Sequence, residues 1–77
     1  MTIQEVRNHE EYALAFKKIR AYSKGFEFTL NYEQIPTPQA NALKIIMHDA
    51  KEQGLIESIA IDLDINGTQT AETFRKL

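Results

Sequence analysis

Ile59-Ala60-Ile61-Asp62-Leu63-Asp64-Ile65, followed at once by Asn66-Gly67, is the stretch that decides how this 77-residue chain is read. Large aliphatic residues alternate with small and acidic ones. A period of two puts Ile59, Ile61, Leu63 and Ile65 on one side of a strand and Asp62 and Asp64 on the other. The β-branched side chains suit the pleat. An unpaired aspartate inside a core is strongly unfavourable, so the aspartates mark the solvent side and the aliphatic row is expected to face the core. Asn66-Gly67 is a favoured tight-turn pair.

The same alternation runs through Phe26-Glu27-Phe28-Thr29-Leu30-Asn31-Tyr32-Glu33, a second strand expected to be buried on one face. Between the two strands, Ile35-Pro36-Thr37-Pro38 breaks the pattern. Pro38 fits the first position of a helix, where no backbone donor is needed, and Thr37 can cap it. The spacing predicts a helix over 38–53 with Leu43, Ile46, Met47 and Ala50 as its buried stripe. Gly54 then stops it, and Leu55 folds back on Ala50. Upstream, Asn8 with Glu11 three residues later has the capping-box spacing. A helix over 9–23 follows, with Tyr12, Ala15, Phe16, Ile19 and Tyr22 on one side and Gly25 behind Lys24 at its end.

After the Asn66-Gly67 turn two readings stand. Thr68-Gln69-Thr70 can begin an antiparallel return strand, or Thr70 can cap a short C-terminal helix over 71–77 that packs Phe74 and Leu77. The helix formers in the segment favour the helix. The element order is then α-β-α-β, a two-layer α/β (α+β) domain with helices on one face of a small sheet. The two strands joined through the second helix make a parallel crossover. Length allows one domain, 1–77. A folded surface of roughly 4,800 Å² against roughly 12,900 Å² unfolded leaves one thin core and no deep interdomain cleft.

Composition excludes several classes. There is no cysteine, so disulfides and thiolate chemistry are out. No apolar run approaches a membrane span. Met1 to Glu5 lacks the pattern of a secretory signal, which makes the cytoplasm the expected compartment. The net charge of −2 is too small for a dedicated nucleic-acid coat. Charge is mildly uneven, with residues 1–24 at +2 and residues 25–77 at −4.

Candidate sites are few. Asp62, Asp64 and Asn66 with Gly67 match the first half of a calcium loop, but position 12 falls on Thr73, where a bidentate Glu is wanted. A solvated strand face ending in a turn accounts for the same residues. His9 and His48 have no ligand partners at helical spacing, and Ser23 and Ser58 have no base nearby. No enzyme activity, cofactor or small-molecule substrate is expected. Lys17, Lys18, Arg20 and Lys24 form the one basic stretch. The segment Thr37 to Ile56, a helix followed by Gly-Leu-Ile and a strand, resembles the recognition part of a winged helix. That resemblance implies nucleic-acid contact through the outward side of the second helix, which offers Asn41, Lys44, His48, Asp49, Lys51 and Glu52. A strand stands where closely spaced helices are wanted, and the outward set mixes charges. Leu14 and Ile45 lie off the apolar faces of their helices and can centre an interface, flanked by Lys17 and Lys18.

Two function classes follow. The first is a small non-enzymatic regulator that binds another protein through a helix face or an open sheet edge. The second is a nucleic-acid-binding regulator using Lys17, Lys18, Arg20, Lys24 and Lys44. Two strands alone leave two open edges, so a homodimer satisfies the sequence, as does a monomer whose tail supplies a third strand.

Overall fold

The computed structural model describes residues 2–77. It contains α1 (Ile3–Asn8), α2 (Glu10–Ala21), β1 (Glu27–Asn31), a 3₁₀ turn (Tyr32–Gln34), α3 (Thr37–Glu52), β2 (Ile56–Leu63) and β3 (Gln69–Lys76). The expected α-β-α-β order is present, preceded by α1 and closed by a third strand. Helices and sheet form one mixed α+β globule measuring 34 × 30 × 19 Å.

Local chemistry sets the helix limits. Thr2 caps α1 by accepting from the Glu5 amide. His9, rather than Asn8, caps α2: its Nδ1 accepts from the Glu11 amide at 3.2 Å. Asn8 is already the last residue of α1, so it cannot cap the next helix. Pro38 sits in the first turn of α3. The predicted stop forms as expected, with Leu55 N–H on the Ala50 carbonyl and Gly54 N–H on that of Lys51. Gly54 adopts φ +73, which glycine tolerates and a β-carbon opposes.

Two expectations about the sheet are corrected. The tail 71–77 is not a helix. Gln69 to Lys76 form the central strand, because pairing on both sides outweighs the weak local helical preference. The sheet order is β1-β3-β2 and both pairings are antiparallel, so β1 and β2 are not parallel neighbours. The Asp64–Thr68 turn returns the chain beside β2, and β3 then occupies the slot a parallel crossover would have needed.

The core lies between the helices and one face of the sheet. Val6, Phe16, Ile19, Ile46, Met47, Ala50, Ile56 and Phe74 form it. Phe74 is wholly buried and stacks on Phe28 at 5.4 Å between centroids, while Phe28 in turn meets Tyr22. The opposite face is polar. Arg75 reaches Glu27 at 3.2 Å and Glu57 at 3.1 Å, tying all three strands, and the Thr29 and Thr73 hydroxyls meet at 2.8 Å.

The helices are fastened by a buried carboxylate. Asp49 accepts a two-pronged pair from Arg7, both distances 2.8 Å, and a third bond from the Tyr12 hydroxyl at 2.7 Å. Residues of α1, α2 and α3 thus meet at one side chain. The expectation that Asp49 faces outward is corrected: it is buried, and three donors satisfy it.

Candidate functional site

β2 runs along one edge of the sheet, paired on one side by β3 and open on the other. Its first residue, Ile56, is in the core. The rest of the strand leaves the core behind. Ile59 is 37% exposed, Ile61 53%, Leu63 61% and, just past the strand, Ile65 is fully exposed. This corrects the expectation that the row faces inward. The alternation does form a strand, but helices cover the sheet only over β1, β3 and the start of β2. The row is also not a single face. The pairing shifts between Ser58 and Ala60, which marks a bulge at Ile59. Beyond it, Ile61 lies opposite Glu72, and Glu72 lies opposite Leu30. Leu30 packs against the core, so Ile61 lies on the helix side of the sheet but outside the core cluster and half exposed.

These four residues together expose on the order of 400 Å², divided between the two faces of one arm. The arm has no lysine, arginine or proline; the bulge at Ile59 and the carboxylates of Asp62 and Asp64 are what guard this edge.

Glu72 makes the adjoining patch polar. It is buried on the same side as Ile61, accepts from Gln69 Nε2 at 2.8 Å and lies 3.7 Å from Lys51. Beside it the buried Tyr32 hydroxyl has no hydrogen-bond partner. Burial pushes the Tyr32 pKa up to about 12, and the nearby Glu72 carboxylate adds to the push. Asp49 moves the other way: Arg7 donation holds its pKa down at about 2 against the opposing effect of burial.

The other candidate residues scatter. Leu14 is exposed on α2 as expected. Ile45 is half-buried against the core, so it does not join Leu14 in an apolar patch. Lys17, Lys18 and Arg20 are exposed on α2, Arg20 over the Phe16 ring at 5.4 Å, and Lys24 lies in the following turn. Lys44 is exposed on α3 with its ammonium 5.0 Å from the Tyr32 ring centre. Thr37, Asn41, Lys44 and His48 are all exposed and recur at the helical period, so α3 presents one polar stripe without a carboxylate from Thr37 to His48.

Asp62, Asp64 and Asn66 do not converge as metal ligands. Asp64 Oδ1 accepts from the Asn66 and Thr68 amides at 2.8 and 2.9 Å, closing the hairpin turn, while Asp62 lies in β2 opposite Ala71. Among the described residues no group of three or more His, Cys, Asp or Glu is placed to hold a metal ion. A groove of about 550 Å³ lies between the N-terminal helices and the start of α3, lined by Val6, Tyr12, Ala15, Leu43 and Ile46 among others. No described helix is long and apolar enough to cross a membrane.

Sequence reasoning missed the exposed arm and the Arg7–Asp49–Tyr12 cluster. The arm carried a signal: the strand pattern extends into the turn residue Ile65, farther than two short helices can cover. Comparison with protein-family models, curated proteins and solved structures finds no match.

Proposed function

We propose that this chain is a small cytoplasmic regulator that acts by binding a protein along the open edge of β2, and that it has no chemistry of its own. One observation carries the reading: an aliphatic row lies uncovered on a strand whose outer backbone groups have no neighbouring strand. Such an edge takes an added strand, with main-chain hydrogen bonds supplying affinity and alternate side chains supplying selectivity. Ile61 on the helix side, Ile59 at the bulge and Leu63 beyond a second shift in the pairing are the contacts we assign to selectivity.

The test is retention from native extract after nuclease treatment, using wild type, Ile61→Asp with Leu63→Asp, and Leu14→Asp. A partner held by wild type and Leu14→Asp, and lost from the edge variant, supports the reading. Equal retention by all three overturns it.

A second reading is favoured by α3. Asp49 turns inward, so the mixed-charge objection to this helix weakens, and the 3₁₀ turn at Tyr32–Gln34 adds a helical turn ahead of α3. Helix, strand, helical turn, helix and hairpin together resemble a winged helix. Asn41 is suited to an adenine edge and Lys44 to a phosphate. The hairpin weighs against it, since Asp62 and Asp64 stand where a duplex backbone would want cations. Salt-dependent retention on duplex DNA, with the salt slope falling by about one in Lys44→Ala, would support this second reading.

A further inference from the structure

We infer that α1 is a releasable strap, hinged at His9 and bolted to α3 through Arg7, whose release opens the groove between α2 and α3. The strap shares no residue with β2, so it stands or falls apart from the reading of that strand as a binding edge. α1 has six residues. A helix so short does not hold itself in water, and contacts with the rest of the chain decide whether it stays. Val6 is its one buried residue; Ile3, Gln4, Glu5, Arg7 and Asn8 are exposed. Among the described residues, the side-chain hydrogen bonds that leave α1 run from Arg7 Nε and Nη2 to Asp49, both at 2.8 Å. One valine and one guanidinium therefore hold it.

Hinge and bolt are separable from the rest of the fold. His9 is the single non-helical residue between α1 and α2, with φ −77 and ψ 142. Rotation at one such residue swings a helix without bending its neighbour. The His9 ring accepts from the Glu11 amide, ahead of it in α2, so that cap survives the swing. Asp49 serves the two helices through different donors: Arg7 holds α1, and the Tyr12 hydroxyl at 2.7 Å holds α2. When Arg7 leaves, Tyr12 still ties α2 to α3, and water enters where α1 lay. The Arg7 side chain is 44% exposed while docked, so its release strands no cation in the core.

The groove gives the motion a consequence. Val6 forms part of its wall, with Tyr12 and Ala15 of α2 and Leu43 and Ile46 of α3. Ile46 is buried while α1 is docked. With the strap away, the Val6 wall goes and Ile46 joins Tyr12, Ala15 and Leu43 in one open apolar seam. The sheet and the α2–α3 pairing do not depend on α1, so the open form is a local state reached without unfolding the domain.

Amide hydrogen exchange of the full chain, read residue by residue by NMR, tests the strap. The Val6 amide donates to the Thr2 carbonyl and the His9 amide to that of Val6, so both report on α1. In the wild type they are expected to exchange about a hundredfold faster than amides in the middle of α3 and β3. Arg7→Ala is expected to speed them by about a further tenfold and to leave α3 and β3 within about twofold. The apolar dye ANS reads the groove: Arg7→Ala is expected to bind about threefold more of it than the wild type, and adding Leu43→Glu to cancel the gain. Wild-type α1 amides as slow as those of α3 and β3 overturn the inference, because opening would then require the whole fold to unfold, and this result depends on no variant. Equal acceleration of every amide by Arg7→Ala overturns it as well. Faster exchange in α1 with no gain in dye overturns its link to the groove. None of these results bears on partner retention by the β2 edge variant, which tests the other reading alone.

Discussion

Leu30 on β1 and Ile61 on β2 flank the same residue, Glu72, in one row of the sheet and share its helix side. Leu30 packs against the core, while Ile61 is half exposed. The two strands have equivalent local patterns, and the difference lies in what stands above them. Tyr22 at the end of α2 and the buried stripe of α3 lie over β1 and the central strand. Past Ile56, β2 projects away from the helices as one half of a hairpin arm. Two kinds of apolar row thus coexist: one closed by the chain's own helices and one left in water. Burial of the first stabilises the protomer, while burial of the second is available only on association.

The comparison can be broken first at the central strand that both rows flank. Phe74 pairs with Phe28 on one side and Ser58 on the other and is wholly buried. Phe74→Ala is expected to remove about 3–5 kcal/mol. A domain of this length has roughly 4–12 kcal/mol in total, so urea titration should find the variant largely unfolded or close to it. A loss under about 1 kcal/mol would mean that β3 is not the central strand.

Next comes the fastening that holds the helices over β1. Asp49→Ala removes three hydrogen bonds, two of them to a guanidinium that keeps partial access to water. A loss of about 2 kcal/mol is expected by thermal unfolding. The pH dependence has a definite sign. The Asp49 pKa falls from an ordinary 3.8 to about 2 in the folded chain, so the carboxylate contributes its full stability above about pH 4. That contribution is lost as pH falls toward 2. The drop in melting temperature between pH 5 and pH 2 should therefore be smaller in Asp49→Ala than in the wild type.

The smallest effect sharpens the comparison most. Leu30→Ala is expected to lose about 2 kcal/mol, and Ile61→Ala, measured in dilute solution, no more than about 0.5 kcal/mol. Equal losses at the two positions would show that something in the protomer covers the arm.

Much of the local structure was legible. Pro38, Gly54 and the fold-back of Leu55 marked the limits of α3, because capping depends on neighbouring backbone groups alone. The Asn66-Gly67 turn and the strand character of Ile59 to Leu63 were legible for the same reason, though Ile65 belongs to the turn. Leu14 was correctly read as exposed. Ile45 and Asp49 were not, since a position beside a helical stripe can be covered by a second element that sequence spacing does not locate. Residues 71–77 were misread because their helix and strand preferences nearly balance, and pairing on both sides then decides. The candidate interface shifted for the same reason, from Leu14 with Ile45 to the arm of β2.

By itself, then, the sequence determined the two long helices and two of the three strands, and where most of these begin and end, while α1 and β3 went unread. Periodicity and capping act over a few residues, so they are legible wherever local preferences are not evenly balanced. Tertiary structure alone decided that the last strand enters the middle of the sheet, that Asp49 collects three donors, and that the most regular aliphatic row of the chain stays in water. A side of a strand is apolar by sequence, but it becomes interior only where another element has surface to lay against it, and two short helices run out before the arm does.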